Sequence, residues 1–348
     1  MQPFSRHLCP STRPQTRFIL FSGLKQLLAW EHFYRNRRLF VSLAIALVSG
    51  ALCWGVLHAR GPTTSVFGGI YYGADFGWSY NAAREFLAGL DPYRFPPFIN
   101  YTPYPFPAVL AAMPFLILPP KIGAAAFFGL SSGFMSYGLT KNGWSKLWAF
   151  GCCPYWTALQ WVQWTPLIFA AAFFPILALT VCIKPNIALP VVLTRLNKIM
   201  VLSAFGFLVV SLVVFPTWPL HWIKSIGGYQ SYFALVTLPG PLLLLALKRW
   251  RDPDAKFLLL ASVFPQRWFY DALILWLIPK TRKEMLYTAA FSWVAFAWML
   301  MGGREIIEVG PICVISFHLP MLLIILRRKN SKIENVDGTV PTARKCPL

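Results

Sequence analysis

An uninterrupted apolar run at residues 39–58 limits most strongly how this chain can fold. The run contains no Asp, Glu, Lys or Arg, and a helix of about 20 such residues crosses the roughly 30 Å hydrocarbon core of a membrane. The rest of the chain agrees, because 57% of its 348 residues are hydrophobic and 13% are charged, unlike an ordinary soluble domain. The sequence therefore predicts an all-α polytopic integral membrane protein.

Further apolar stretches follow the first run, and several are interrupted by Pro or Gly. They are residues 122–139, 147–162, 167–183, 199–215, 232–247, 285–303 and 311–326. Together they predict roughly eight to eleven membrane segments. We accordingly divide the chain into a basic N-terminal segment at 1–38, a polytopic domain at 39–326 and a C-terminal tail at 327–348.

Basic residues between the apolar stretches predict the orientation. The clusters contain Arg35, Arg37, Arg38, Lys141, Lys146, Arg195, Lys198, the stretches 248–256 and 280–283, and 327–329. Positively charged loops stay in the cytoplasm, so we expect cytoplasmic termini and an extracytoplasmic first loop at 59–104. The net charge of +20 then faces anionic lipid headgroups, and no nucleic-acid partner is required. The lack of an organelle signal favours a prokaryotic plasma membrane.

The first predicted loop carries one acidic residue close to the membrane, Asp75. After it, apolar side chains at positions 78, 82, 83, 86 and 87 recur at helical spacing. Gly89 suits a helix end, and Asp91-Pro92 suits a turn. A short amphipathic helix here is expected to lie in the interface plane. Asp75 is then a helix N-cap, a functional carboxylate, or both.

Several short motifs follow one another along the chain, beginning in this loop. The first are Asp75-Phe76, Tyr80, Ala82-Ala83, Leu87, Gly89 and Asp91-Pro92-Tyr93, followed by Pro105-Phe106-Pro107 and Leu118-Pro119. The later ones are Gln163, Lys184-Pro185-Asn186 and Pro265-Gln266-Arg267-Trp268. In these motifs the chain resembles glycosyltransferase family 87, the polyprenol-phosphate-mannose-dependent mannosyltransferases of the GT-C superfamily.

The resemblance implies a GT-C-like bundle with an extracytoplasmic active site. It implies transfer of a hexose, mannose in that family, from a polyprenyl-phosphate donor. Attack by the acceptor hydroxyl on the face opposite the phosphate inverts the sugar. The acidic residues expected outside the membrane are too scattered for an octahedral metal site, and no cofactor is expected. A glycolipid, a polysaccharide and a protein all remain open as acceptors. The chain itself shows no glycine-rich phosphate loop and no soluble stretch long enough for a nucleotide-binding domain.

Transfer of this kind needs a base for the acceptor hydroxyl and a cation for the departing phosphate. Asp75 is the candidate base. Lys184 and Arg267 are candidate phosphate ligands. An isolated cation in an apolar run costs free energy to place in a membrane, so such a residue is first interpreted as functional. The structural alternatives are that Lys184 snorkels to the cytoplasmic interface and that Arg267 pairs with Asp271 four residues later.

Four more side chains are candidates for substrate binding. Gln163 requires a hydrogen-bond partner in its apolar surroundings, either an interhelical backbone group or a substrate hydroxyl. His221 lies among Pro and Trp and either contacts phosphate or sugar, or anchors the chain at the interface. Tyr93 and Tyr104 either stack on a sugar or belong to the aromatic belt.

Two spacings test the topology. Only 21 positions separate Gln163 from Lys184, which is room for about one span, so a full crossing would place them on opposite sides. Either residues 167–183 form a re-entrant segment, which Pro175 permits, or one motif is misplaced. Similarly, the chain between Lys256 and Lys280 predicts two short half-helices meeting around Pro265.

Other functional classes fit parts of the pattern. A lipid-linked-sugar carrier is favoured by the same broken segments and intramembrane cations. A relative that keeps the fold without activity, and an assembly subunit of an envelope polysaccharide machine, are the remaining alternatives. Replacement of Asp75 by Asn separates an enzyme, which needs the base, from a carrier, which tolerates the change better.

Overall fold

A computed structural model describes the backbone of residues 16–60, 63–64, 70–71, 74–93, 104–226, 230–302 and 306–328. The structure is 79% helical, which confirms the all-α prediction. Residues 1–15, the parts 61–62, 65–69, 72–73 and 94–103 of the loop at 59–104, and nearly all of the C-terminal tail lie outside the described residues, so the expectations for these segments stay predictions. The α-helices are α1 (Thr16–Ala59), α2 (Ala74–Leu87), α3 (Phe106–Ala112), α4 (Pro120–Leu139), α5 (Cys153–Trp161), α6 (Thr165–Ala170), α7 (Pro185–Leu193), α8 (Lys198–Val214), α9 (Trp218–Ser225), α10 (Pro253–Val263), α11 (Arg282–Leu300), α12 (Ile306–Cys313) and α13 (Leu319–Arg327).

Shorter elements connect these helices. The 3-10 helices are Met113–Ile117, Thr140–Asn142, Trp144–Gly151, Pro175–Val181, Gly240–Arg249 and Phe269–Leu277, and Val314–His318 is a π-helix. Two antiparallel pairs join β1 (Thr63–Thr64) to β2 (Ile70–Tyr71) and β3 (Tyr232–Phe233) to β4 (Pro265–Gln266). Many helices have Pro in their first turn, where its fixed φ suits a start and its missing N–H is not needed.

Three helical stretches of the described chain are long and apolar enough to span a membrane. They are Asn36–Ala59, Pro120–Leu139 and Glu308–Arg327, and α8 with α9 makes a fourth if this pair, bent by 96°, counts as one span. These stretches indicate a membrane protein, and the side chains of Phe40 and Leu47 on α1 are each 74% exposed, as expected of a lipid-facing surface.

The prediction of eight to eleven segments exceeds the spans that the described residues provide. The expected segment at 147–162 is a 3-10 helix followed by α5, the one at 167–183 is α6 followed by a second 3-10 helix, and the one at 232–247 begins as strand β3. The stretch at 285–303 falls on the single helix α11, which is not among the candidate spans. Pro and Gly divide three of these apolar stretches into pieces too short to cross.

Helices α1 and α4 pack antiparallel through small residues. A Cβ added to Gly129 would lie 2.6 Å from the Ala46 carbonyl oxygen, so the two backbones approach as closely as in small-residue membrane contacts. Nearer one end of the pair, Ser42 Oγ donates to Ser136 Oγ over 3.3 Å. At that end, Arg38 donates to the Tyr137 carbonyl oxygen over 2.6 Å.

Several basic clusters meet at the Arg38 end of the molecule. Lys146 donates to the Pro279 carbonyl oxygen, Lys280 lies 2.9 Å from Asp254 Oδ2, and Arg328 lies 2.6 Å from the same oxygen. Loops distant in sequence thus share one basic end. Helix α4 has 20 residues and rises about 30 Å, so its start, near α2, lies at the opposite end.

Candidate functional site

Helix α2 holds Asp75 at the end of the molecule opposite the basic clusters. The predicted helix is present, but it begins at Ala74, so Asp75 lies inside the first turn and not at the N-cap. Phe76 is fully buried and stacks on Phe127 with ring centroids 4.2 Å apart. The expected apolar face is partly wrong, because Leu87 is 65% exposed while the face beginning at Phe76 packs inward.

The end of α2 follows the sequence prediction. Gly89 has φ +77°, and the Leu90 N–H donates to the Glu85 carbonyl oxygen over 3.0 Å, which is the pattern of a glycine-terminated helix. The expected turn is also confirmed, since Asp91 Oδ1 accepts a bond from the Tyr93 N–H over 2.9 Å.

A re-entrant segment places Gln163 beside Lys184. After α5, the chain forms α6 and the 3-10 helix Pro175–Val181 and returns, so that Lys184 Nζ donates to Gln163 Oε1 over 3.1 Å. The two motifs therefore lie together at one end of the molecule, which is what the re-entrant alternative requires and what a single full crossing between them would prevent. Around Pro265, the expected half-helices are α10 and the 3-10 helix Phe269–Leu277.

The carboxylate of Asp75 receives donors from two directions. Gln163 Nε2 donates to Asp75 Oδ2, and the Tyr270 hydroxyl donates to the same oxygen over 3.4 Å. Gln163 is fully buried, whereas Asp75 is only partly buried. The partner of Gln163 is thus neither of those expected from the sequence, but two charged side chains of the site itself.

Behind Gln163 lies a buried ion pair. Lys184 Nζ is 2.6 Å from Asp271 Oδ1, with side chains 6% and 0% exposed, and it lies 4.9 Å from the centre of the Tyr270 ring. Asp271 Oδ2 also accepts a bond from the Arg267 backbone N–H over 2.9 Å. Lys184 therefore does not snorkel to the interface, because its charge is compensated inside the protein.

Asp271 and Tyr270 belong to the site, although neither is predicted from the sequence to be a site residue. From its sequence position, Asp271 is expected only as a local partner of Arg267, and Tyr270 is not among the predicted site residues. The available signal was an acid inside the apolar run that follows Trp268, where an ionised side chain requires a partner.

The groups around Asp75 shift the pKa of its carboxyl in opposite directions. Burial raises the pKa of the Asp75 carboxyl above its usual range, while the charges of Arg267 and Lys184 and the bond from Gln163 oppose that rise. Desolvation penalises the charged carboxylate, and nearby cations favour it. A carboxyl whose pKa is raised toward neutrality is suited to accept a proton.

Two residues in the left-handed backbone region adjoin the site. Ala74 and Val162 have φ of +48° and are the non-glycine residues with positive φ among those the structure describes. Each directly precedes a site residue, Asp75 or Gln163. Such backbone strain persists where the surroundings enforce it and clusters at functional sites.

The remaining predicted residues form a second cluster at the other end of α2. His221 Nδ1 lies 2.9 Å from Asp91 Oδ2, and the Tyr93 hydroxyl donates to the Tyr104 carbonyl oxygen over 3.0 Å. The 14 residues of α2 span about 21 Å. The structure thus joins His221 and Tyr93 through their rings, while the centre of the Tyr104 ring lies 6.5 Å from that of Trp164, the residue after Gln163, and so links this cluster to the site of Asp75.

No group of three His, Cys, Asp or Glu side chains within the described ranges is arranged to hold a metal ion. Comparison of the chain with protein-family models, with curated proteins and with solved structures finds no match.

Proposed function

We propose that this protein is an integral-membrane inverting glycosyltransferase that moves a hexose from a polyprenyl-phosphate donor to an extracytoplasmic acceptor. Mannose is the proposed sugar, by the resemblance of its motifs. The observation that carries the proposal is the Asp75 carboxylate of a partly buried residue, held by Gln163 and Tyr270 in front of a buried Lys184–Asp271 pair. It lies about one membrane thickness from the basic end, which the positive-inside rule assigns to the cytoplasm.

In the proposed reaction, Asp75 accepts the proton of the acceptor hydroxyl as that oxygen attacks the anomeric carbon. The bond between the sugar and the phosphate oxygen breaks, and the polyprenyl phosphate leaves with the bonding electron pair. One carboxylate suffices because the acceptor attacks from the face opposite the phosphate, unlike in hydrolases that use two.

Arg267 is the proposed partner of the leaving phosphate. Its side chain is partly exposed, and its charge acts on Asp75. Lys184 is already paired with Asp271, so we assign it the role of orienting Gln163, which in turn orients Asp75. Preorganised groups of this kind stabilise developing charge without rearrangement.

Unsatisfied polar atoms next to these residues support an uncharged, hydroxyl-bearing ligand. Ser79 Oγ, Trp164 Nε1 and Thr165 Oγ1 are buried and have no hydrogen-bond partner among the described residues. Ser79 lies one helical turn after Asp75, and the other two directly follow Gln163. Buried polar atoms generally have a partner, and sugar hydroxyls are partners of the right chemistry.

The test uses purified, reconstituted protein, radiolabelled polyprenyl-phosphate-mannose and a crude lipid extract of the host. Wild type should give labelled product, and Asp75→Asn should lower the rate by about 10²- to 10⁴-fold, as expected for loss of a general base. Glu85→Gln is the matched control, since it removes a carboxylate from the same helix outside the Asp75 hydrogen bonds.

A lipid-linked-sugar carrier is the second candidate, favoured by the buried Lys184–Asp271 pair, which is also typical of transport pathways. A carrier would move labelled donor between leaflets without product, and Asp75→Asn would still support transport. Donor binding without product or transport by wild type would indicate an inactive relative.

A further inference from the structure

A cleft opens between the first turns of α11 and the last turns of α13, at the basic end of the molecule. Its volume is about 260 Å³. The side chains around it fall into a charged group and an apolar group, namely Lys283, Glu284, Arg327 and Arg328, and Tyr287, Leu323 and Ile324. This cleft is about one membrane thickness from Asp75 and plays no part in the proposed transfer.

The charges at the cleft are divided between the protein interior and the solvent. Arg328 forms an ion pair within the protein, with a guanidinium nitrogen 2.6 Å from Asp254 Oδ2. Glu284 is committed to the start of α11, where its carboxylate accepts the Thr281 backbone N–H over 3.2 Å. Lys283 and Arg327 are exposed, and neither forms an ion pair with a carboxylate in the described part of the chain.

The start of α11 adds to the positive electrostatic potential that Lys283 and Arg327 create at the cleft. Helix α11 runs from Arg282 to Leu300, and its dipole favours an anion near its first turn, where Thr281 Oγ1 and the Glu284 carboxylate already accept backbone N–H groups. With the outward charges of Lys283 and Arg327, the mouth of the cleft therefore attracts a negatively charged group.

The apolar side chains that line the cleft are partly exposed at the surface of the protein. Tyr287 is 48% exposed and Leu323 is 42% exposed. Each is one helical turn from a cation, Tyr287 from Lys283 and Leu323 from Arg327, so both helices present a charge and then an apolar side chain along the same line. Leu323 lies within the candidate span Glu308–Arg327, which Arg327 ends.

We propose that this cleft is a binding site for an anionic phospholipid. The phosphate sits between Lys283 and Arg327, and one acyl chain lies along Tyr287 and Leu323. From the basic end toward the membrane interior, the cleft presents charged side chains first and apolar side chains second. A phospholipid has the same order, from its charged headgroup to its acyl chains. Basic pockets between membrane helices bind anionic headgroups in this way, and two outward cations disfavour the choline of a zwitterionic lipid.

The test is a titration of the purified full-length protein in neutral detergent with phosphatidylglycerol or phosphatidylcholine, followed by native mass spectrometry. We expect phosphatidylglycerol to bind more tightly, and the double variant Lys283→Gln, Arg327→Gln to lose about fivefold in affinity for each charge removed. The matched control is Lys198→Gln, Lys248→Gln, which removes the same charge from other exposed positions and should bind like wild type.

A second variant tests the apolar half of the site without changing charge. Leu323→Trp fills the cleft and should weaken phosphatidylglycerol binding, whereas soluble glycerol phosphate should compete poorly with the lipid. Equal affinity for the two lipids, equal losses in the charge variant and its control, or full competition by glycerol phosphate would each overturn the proposal. Both cations are exposed, so circular dichroism of each variant should remain that of wild type.

Discussion

The buried pair between Lys184 and Asp271 makes the sharpest prediction about stability. Its side chains are 6% and 0% exposed, so removing one charge leaves the other without compensation in a medium that solvates it poorly. Breaking such a pair from one side typically costs about 3 to 5 kcal/mol. We expect Asp271→Asn and Lys184→Met each to lower the free energy of unfolding by about this amount.

The double variant Lys184→Met, Asp271→Asn should be much more stable than the sum of the single changes predicts. Removing both charges removes the desolvation penalty with the attraction, and the remaining loss is chiefly the bond to Gln163, about 1 kcal/mol. The two single changes together should cost about 6 to 10 kcal/mol, so the coupling energy between the two sites should be about 5 kcal/mol or more, above the roughly 0.5 to 3 kcal/mol that neighbouring residues usually show.

The assay is equilibrium unfolding in mixed micelles with increasing dodecyl sulfate, followed by circular dichroism. Lys280→Met is the matched control, because the Lys280–Asp254 pair has a similar length, 2.9 Å, but its lysine is 52% exposed. We expect that change to cost less than about 1 kcal/mol. Strict additivity of the Lys184 and Asp271 variants would refute the reasoning.

Three further changes test the site and the packing. Because burial raises the pKa of Asp75, the ionised base is lost at a higher pH than for an ordinary aspartate, so transferase activity should fall as pH falls through the raised pKa; a pH–rate profile whose acid limb lies where a solvent-exposed aspartate titrates would contradict this. Ala74→Gly should raise the free energy of unfolding by up to about 1 kcal/mol, since glycine adopts φ +48° without strain, and an unchanged or lowered value argues against strain there. Gly129→Leu should lower the same quantity by about 1 to 3 kcal/mol or more through overpacking, whereas Gly55→Leu, whose Cβ meets open space, should have little effect; equal effects would count against the close α1–α4 contact.

The long helices were predictable because their signal is local. The run at 39–58 and the run at 122–139 fall on α1 and α4, where uninterrupted apolar composition is enough to identify a helix. Stretches such as Pro175–Val181 and Phe269–Leu277 are also strongly apolar but form 3-10 helices. Hydropathy measures composition and does not determine which carbonyl oxygen a backbone N–H bonds.

The members of the candidate site were predictable in part, but their pairing was not. Asp75 and Gln163 were both identified, yet they are 88 positions apart, and no local pattern encodes their bond. Asp271 illustrates the same limit, since the spacing of four residues allows Arg267 as an ion-pair partner of its carboxylate. The ammonium that Asp271 binds belongs to Lys184, 87 positions earlier.

The distance along the chain between these charges has a consequence for synthesis. Lys184 leaves the ribosome 87 residues before Asp271, which at 5 to 20 residues per second is about 4 to 17 s. During that interval the lysine has no Asp271 to bind, so the segment before it cannot settle into its final buried position. The Asp75 end of the protein therefore assembles late, after the chain near Tyr270 has been inserted, although Asp75 itself is among the first parts to be made.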